Sequence, residues 1–466
     1  MNLSEILNNL EASGNLRTLP TAVHEERYLV EDGRRMLNLS SNDYLGLASD
    51  GVLADDFLGS ADAGQLLLSS SSSRLLTGNF RVNDTLERHL AEAFGKPAAL
   101  SFGSGYAMNS GILPAVSDPG TLILADKLVH ASLIDGIRLS NARTIRFRHQ
   151  DLDSLERLVR ENAGKYSTII IVVESIYSMD GDVTDLRRLV ALKKDFPGVM
   201  LYVDEAHGVG VSGGTGLGIA EEQGCIADVD FLCGTFGKAL ASVGAYLVCS
   251  NEIRTFLINR MRPFIFTTAL PPLNIAWTDY VFRHLPEFAP RRQHLAKISE
   301  RLRSALLDAG RPCPSESQII PLMVGDSHDA VRLAEHFRSC GFYLLPIRPP
   351  TVPEGTSRLR ISLTASVTED DIRNLLSSFP TPTSLPLTLP SCPAPSHTSL
   401  TSQSCPASTG HPTPSDPVLI SPSCPAPTGH PTLSDPSPSS QSCPSPTGHP
   451  AASKSSQSSK MNGETE

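Results

Sequence analysis

Lys238 closes the segment Asp230-Phe-Leu-Cys-Gly-Thr235-Phe-Gly-Lys238-Ala, in which an apolar run gives way to small residues around one amine. Burial disfavours an ammonium ion, so a lysine crowded by apolar and small residues becomes a usable nucleophile or base, as a Schiff-base lysine must be. A surface lysine in a loop has the same local pattern, and this segment alone leaves both readings open. Leu201-Tyr-Val-Asp204-Glu-Ala-His207-Gly ends a second apolar run in a carboxylate that is costly to bury without a cation. A pyridinium nitrogen is one such cation, and an aspartate beside it keeps the ring protonated and able to accept carbanion charge. A metal-binding carboxylate of a nucleotide hydrolase is the competing reading, but the chain has no GxxxxGK[ST] phosphate loop to go with it. Ser101-Phe-Gly103-Ser-Gly105-Tyr106 places glycines between a strand and a helix, which leaves backbone N–H groups free to hold a phosphate. The dinucleotide form GxGxxG is not met, because position 108 is Met. His130 follows Asp126 at the start of a helical stretch, His207 follows Asp204 by three residues, and Ser178 stands in Ser178-Met-Asp-Gly-Asp. Each can reach a common ligand, and each has an equally ordinary use as a cap, a packed ring or a turn residue.

What unites these residues is their position in the chain. From about 45 to 270, short aliphatic runs alternate with amphipathic helical stretches, the pattern of βαβ units and a mostly parallel sheet covered on both faces. Runs ending at Phe102, Asp126, Glu174, Asp204 and Thr235 read as buried strands, and every residue named above sits at or just past one of those ends, His130 after Asp126, His207 after Asp204 and Lys238 after Thr235. Ligands of open α/β sheets bind beyond the carboxyl ends of the strands. Residues 45–270 are therefore expected to form a ligand-binding large domain. A smaller α+β domain is expected over 271–380, with a long helix near 291–310 and a strand in Arg358-Leu-Arg-Ile-Ser-Leu-Thr364. Residues 1–44, with a helix near the start and a strand near 37–41, are expected to pack with it.

The remaining 86 of the 466 residues, 381–466, hold 18 of the 36 prolines and four of the nine cysteines. Ser404-Cys-Pro-Ala-Ser-Thr-Gly-His-Pro returns from Ser423 and again from Ser442 with few changes, a period of 19 residues. Such Pro/Ser/Thr-rich sequence has too few large apolar side chains to offset the entropy of ordering, so the tail is expected to be disordered. Its Cys and His pairs have soft-metal chemistry, but nothing in the sequence fixes their geometry, and no metal is assigned. The formal charge of −10 argues against a nucleic-acid or anionic-membrane partner. No apolar run approaches the roughly 20 residues that span a bilayer. The start lacks the basic and apolar regions of a signal peptide, and the five cysteines of residues 1–380 are widely spaced, so a cytoplasmic protein with free thiols is expected.

Six segments, Asn42-Asp-Tyr-Leu-Gly-Leu, Ser72-Ser-Arg-Leu-Leu-Thr-Gly-Asn, Asp126-Lys-Leu-Val-His-Ala-Ser, Ser178-Met-Asp-Gly-Asp, Val203-Asp-Glu-Ala-His-Gly and Thr235-Phe-Gly-Lys, stand in this order along the chain. Together they resemble the α-oxoamine synthases, pyridoxal-phosphate-dependent acyltransferases of the fold-type I aminotransferase superfamily, over nearly all of residues 15–380. The resemblance implies a large domain with a mostly parallel seven-stranded sheet, a smaller α+β domain, pyridoxal 5'-phosphate as cofactor, and a homodimer with sites at the interface. It also implies roles: Lys238 as cofactor lysine and proton-transfer base, Asp204 against the pyridine nitrogen, His207 near the phenolic oxygen, His130 on the ring face. Gly105, Tyr106, Ser178 and Thr235 would help hold the cofactor, and Thr267 and Thr268 would reach the partner's phosphate. Arg360 would take the amino-acid carboxylate, with Thr364 and Arg17 near the acyl substrate. The segment from Pro346 through Arg348-Pro-Pro to Arg360 is most similar to the branch that serves biotin synthesis, condensing L-alanine with a pimeloyl thioester of CoA or acyl carrier protein. Glycine with acetyl-CoA, serine with a long acyl chain, and a non-catalytic partner subunit are the alternatives. The serine run 69–73 departs from the family pattern, which has small or glycine residues there.

Overall fold

The computed structural model describes residues 1–380; the repeat-bearing residues 381–466, and with them the expected disorder and the Cys and His pairs, lie outside the described residues. A helix, Leu3–Ala12, leads into an antiparallel meander of β1 (Val23–Glu25), β2 (Tyr28–Glu31) and β3 (Arg34–Asn38). Seven strands then make the large sheet: β4 (Ala98–Phe102), β5 (Thr121–Asp126), β6 (Arg143–Phe147), β7 (Thr168–Glu174), β8 (Val199–Asp204), β9 (Phe231–Thr235) and β10 (Ala245–Cys249). Their order is β4-β10-β9-β8-β7-β5-β6. Neighbours from β9 to β6 run parallel, and β10 alone lies antiparallel to both its neighbours. The expected strand ends at Phe102, Asp126, Glu174, Asp204 and Thr235 are the ends observed.

These strands form because their aliphatic residues can be buried on both faces. Along β7, Ile169, Ile171 and Val173 enter one apolar cluster and Ile170 and Val172 the other, the two-residue alternation of a strand. Both faces are covered, as expected of a parallel sheet whose crossovers are helices. Ile171 has no exposed surface, and truncating such a residue to Ala costs about 2–5 kcal/mol. The crossover helices show the matching stripe: Leu152–Asn162 buries Leu152, Leu155 and Val159 and is capped by the Asp151 carboxylate, which accepts from the Ser154 N–H.

The last part of the chain holds β11 (Ile319–Gly325), β12 (Phe342–Tyr343), β13 (Pro346–Ile347) and β14 (Ser357–Ser362). Strands β11, β14 and β13 form a small antiparallel sheet, while β12 pairs with β3 and so joins the N-terminal meander. The segment after β3 is stitched to β14, Ser362 N–H donating to Leu39 and Ala365 N–H to Tyr44. The strand expected near 37–41 thus lies slightly earlier, as β3, and the long helix runs over Ala289–Asp308. Two features differ from simple packing expectations. Helix Leu3–Ala12 buries none of its residues and touches the small domain through its end, where the Ala12 carbonyl meets His328. Helix Pro272–Arg283, just beyond the expected boundary at 271, lies against helix Arg81–Ala93 of the large domain, with Asp279 2.6 Å from His89.

Candidate active site

The ends of β5, β7, β8 and β9 converge on Lys238, as parallel strands with right-handed crossovers require. Glycines allow the close approaches. Gly181 has φ +72°, and a Cβ there would lie 2.0 Å from the Ile319 carbonyl, so the 178–182 loop can pass β11 only with glycine. The Lys238 amine lies 2.7 Å from His207 Nε2. Burial, opposed by the charges of Asp204 and Glu174 and reinforced by that of Arg360, brings this amine down to about 8. Burial and the nearby Lys238 and Arg360 charges also hold His207 well below its usual range, so its ring is neutral.

From His207 a relay runs outward. Its Nδ1 is 2.6 Å from the Tyr44 hydroxyl, which is 3.1 Å from Asn42 Oδ1 and receives a 3.1 Å hydrogen bond from the Arg360 guanidinium. One proton arrangement satisfies all four: the amine donates to Nε2, Nδ1–H donates to Tyr44, and Tyr44 donates to Asn42. Arg360 also donates to the Ser178 carbonyl at 2.6 Å and to Asn42 at 3.1 Å, and Gln318 donates to the His207 carbonyl.

Asp204 occupies the opposite wall. It is buried, accepting at 2.7 Å from the Asn109 amide and at 2.9 Å from the Ala206 N–H. Among the described residues no cationic side chain is paired with it. Asn109 is itself fixed by the Tyr202 hydroxyl and by Ser132, whose hydroxyl lies 2.7 Å from His130 Nδ1. His130 caps helix Ala131–Leu139, and its backbone N–H donates at 2.5 Å to Glu174, a carboxyl that burial and the Asp204 charge push well above its usual range. Burial, with Lys238 nearby, lowers His130 as well.

Gly105 begins helix Gly105–Val116, capped by Ser104, and Thr235 stands beside it: a Cβ on Gly105 would be 3.8 Å from the Thr235 side chain. Thr235 accepts from the Gly237 N–H and donates to the Gly244 carbonyl, which fixes the turn carrying Lys238. The other expected residues are more dispersed. Tyr106 is about half exposed and donates to Asp135. Ser178 enters the network by its carbonyl. Thr364 is buried, its hydroxyl 2.7 Å from that of Ser366. Arg17 is exposed and holds Thr351 at 2.8 Å, in the loop after β13. Thr267 and Thr268 line a small recess with Gly103, Arg74 and Phe264. A cavity of about 480 Å³ opens beside His130 and Ser178, closed on its far side by residues 350–353.

Sequence reasoning assigned no role to Asn109, Ser132, Tyr44, Asn42, Gln318 or Glu174. Asn109 had a signal, an amide in the largely apolar Met108 to Leu113 stretch; Tyr44 lies in the quoted Asn42-Asp-Tyr segment without its role being marked there, and Gln318 had no local signal. The second acid of Asp204-Glu205 is structural. Glu205 is fully buried, accepts from Ser175 and from the Ile219 and Ala220 N–H groups, and is pushed up to about 7 by burial.

The chain matches the family "Aminotransferase class I and II" over residues 34–379. It belongs to that family. Among its relatives are candidate 8-amino-7-oxononanoate synthases of Pasteurella multocida, 52% identical over 372 residues, covering 80% of this chain and 96% of that one, and of Neisseria gonorrhoeae, 52% identical over 367 residues, covering 79% and 97%. Among solved structures, serine palmitoyltransferase from S. paucimobilis superposes with a TM-score of 0.74 at 29% identity, covering 81% of this chain and 95% of that one. An 8-amino-7-oxononanoate synthase from Francisella tularensis superposes with a TM-score of 0.63 at 26% identity, covering 74% and 96%. The fold is therefore that of a fold-type I pyridoxal-phosphate-dependent transferase, and pyridoxal phosphate is the cofactor of this family member. The donor set fits it: an amine that burial brings down to about 8, a buried carboxylate that no cationic side chain pairs with among the described residues, and a capped helix start beside Thr235 for the phosphate. No helix among the described residues is long and apolar enough to cross a membrane.

Proposed function

We propose that this aminotransferase-family chain is an 8-amino-7-oxononanoate synthase: L-alanine and a pimeloyl thioester give 8-amino-7-oxononanoate, CO₂ and the free thiol. The observation that carries the reading is the hydrogen-bonded line Lys238–His207–Tyr44–Arg360, which sets a carboxylate-binding guanidinium at a fixed distance from a reactive amine. The relatives at 52% identity point to the same reaction.

Bound pyridoxal phosphate supplies an electron sink for carbanion charge at the amino-acid Cα, both on proton loss and on loss of CO₂. Lys238 anchors the cofactor and, once free, takes the Cα proton; its amine near 8 is matched to that work. Asp204 would stand against the ring nitrogen, His207 near the phenolic oxygen and His130 on the ring face. Thr235, Gly105, Tyr106 and Ser178 would help hold the cofactor. Arg360 takes the alanine carboxylate in a bidentate pair. The cavity beside His130, lined by Leu128, Val129, Ile134, Met179 and Val352, takes the acyl chain; Arg17, which holds Thr351 of that cavity's wall, and Thr364 are the further residues assigned to the acyl substrate.

A homodimer fits the surface. Leu67, Leu68, Leu75, Leu76 and Phe266 are all exposed, and the segments carrying them are joined by the Ser73–Thr268 bridge next to the site. A second copy covering this patch would bring Thr267 and Thr268 to its partner's phosphate. The thioester carrier is CoA or acyl carrier protein, and the setting is the cytoplasm.

The test is thiol release by the purified holoenzyme with L-alanine, glycine or serine against pimeloyl-, acetyl- and palmitoyl-CoA and pimeloyl acyl carrier protein. A kcat/KM for alanine with a pimeloyl thioester at least about a hundredfold above the other pairs is expected, since about 2.7 kcal/mol of selectivity is two decades. Preference for glycine with acetyl-CoA or serine with palmitoyl-CoA would replace the proposal by that activity, and no turnover with any pair would leave the non-catalytic subunit.

A further inference from the structure

His149 lies outside every motif named so far, in the turn after β6. Its ring is held at both ends: Nδ1 is 2.9 Å from Asp126 and Nε2 is 3.0 Å from Asp182, while its face meets the Tyr177 ring edge-on at 4.5 Å between centroids. Both nitrogens face carboxylate oxygens, so both must carry protons. Burial opposes that charge, but the hydrogen bonds and charges of Asp126 and Asp182 outweigh it and push the imidazole up to about 10.

The two carboxylates belong to two different loops of the active site. Asp126 ends β5 and accepts from the Leu128 N–H at 2.7 Å, shaping the turn that delivers His130. Asp182 closes the 175–182 loop, whose Ser178 carbonyl holds Arg360 and whose Asp180 pairs with Arg358. Gln150, next to His149, completes the tie: its N–H donates to Asp126 at 2.9 Å and its side-chain amide to Asp182 at 2.7 Å. To do so it adopts φ +56°, a conformation that a non-glycine residue keeps only when its surroundings impose it. Asp182 Oδ1 is buried without a hydrogen-bond partner, which leaves this carboxylate reliant on the two partners of its other oxygen.

We propose that His149 is a positioning residue: as a doubly hydrogen-bonded cation between Asp126 and Asp182, it locks the turn that carries His130 to the loop that aims Arg360. The reading rests on the proposed role of Arg360 in holding the amino-acid carboxylate. It predicts a defect in amino-acid binding, because the loop aims Arg360, with the bond-making groups around Lys238 left in place.

The experiment uses the full-length holoenzyme with His149→Gln and with the pair His149→Gln/Asp182→Asn, alongside backbone amide exchange on the apo-proteins. For His149→Gln the KM for L-alanine should rise about tenfold, with kcat within about threefold and the wavelength of the cofactor band unchanged, as expected for losing one charged hydrogen bond's worth of orientation. Leu128 and Gln150 amides should exchange faster. The double variant removes the orphaned charge, so its melting temperature should recover while the raised KM persists. A KM that recovers together with the melting temperature would make His149 merely structural and overturn the proposal, as would an unchanged KM. If His149→Gln does not fold, Asp182→Asn, which keeps the Asp126 contact, should show the same KM-only defect in milder form; wild-type KM there also overturns it. The exchange arm needs no substrate. Faster Leu128 and Gln150 exchange in an enzyme that proves inactive with alanine supports the clamp and discards the substrate assignment, and unchanged exchange overturns the clamp whatever the substrate.

Discussion

Asp204, Glu174 and Thr235 each end a strand of the large sheet, whereas Asn42, Tyr44, Gln318 and Arg360 approach the same lysine from the N-terminal segment and the small sheet. The first group is delivered by backbone that is hydrogen-bonded on both sides and buried on both faces, so its spacing is set by sheet geometry. The second depends on β3, β12 and β14 being stitched together across three hundred residues. On the proposed reading, the sheet ends would carry the groups that manage carbanion charge, and the stitched segments the groups that hold the substrate's carboxylate. Chemistry is thereby separated from recognition, and substitutions on the two sides should fail in different ways.

The largest effect is expected on the sheet side at Lys238. On the proposed assignment Lys238→Ala would remove both the covalent anchor and the base, and kcat should fall by more than about a thousandfold, a loss of at least about 4 kcal/mol of transition-state stabilisation. The absorbance band of the bound cofactor should change, and borohydride should no longer fix cofactor to this position. A wild-type spectrum that still traps at another lysine would take the site away from β9.

Asp204→Asn comes next. The amide oxygen can still accept from the Ala206 N–H, while the Asn109 amide loses its Asp204 acceptor and keeps Ser132, so the protein should fold and bind the cofactor more weakly. Exchange of the alanine α-proton, followed by NMR in D₂O, should drop by about two to three decades, each 1.36 kcal/mol being tenfold. Exchange within threefold of wild type would remove Asp204 from the carbanion's side of the comparison.

How much of this division was legible beforehand follows from the same contrast. The five strand ends and their polar residues were readable because an aliphatic run broken by a charged or small residue is a local signal. The resemblance to the α-oxoamine synthases added Arg360, which local pattern treats as one more arginine in Arg358-Leu-Arg360. Tyr44 stood in a segment that carried the resemblance, but neither its role nor that of Gln318 was readable, because both arise where two segments far apart in sequence meet. His149 was hidden for a related reason: nothing in Arg148-His-Gln150 announces that carboxylates from two other loops will close on it.

On the recognition side, Arg360→Lys keeps the charge and loses the planar fork that meets Tyr44 and, on the proposed reading, the substrate carboxylate. The KM for alanine should rise about tenfold to a hundredfold, corresponding to one or two charged hydrogen bonds, with kcat changed far less. Tyr44→Phe should give a smaller rise of the same kind, since it removes a single link. A fall in kcat at constant KM in either variant would mean that the line from Lys238 to Arg360 works in proton transfer, and the separation drawn above would collapse.

The smallest effects, and the ones that read both sides at once, concern the charge of Lys238 itself. Its amine is brought down to about 8 by burial, with Asp204 and Glu174 pulling it up and Arg360 pushing it further down. Only the neutral amine can bond to the cofactor's aldehyde carbon, so the rate at which apo-protein takes up pyridoxal phosphate should climb with pH through a midpoint of about 8 and level off beyond it. Removing a cation makes the ammonium form easier to keep, so Arg360→Gln should move the midpoint to higher pH. Removing the Asp204 anion acts in the opposite sense, and Asp204→Asn should move it lower. Stopped-flow absorbance at a series of pH values gives both midpoints without any turnover, which separates this prediction from the identity of the substrate. Shifts of equal sign in the two variants would show that the amine responds to burial alone; opposite signs would show that the sheet ends and the stitched segments set its protonation from two sides.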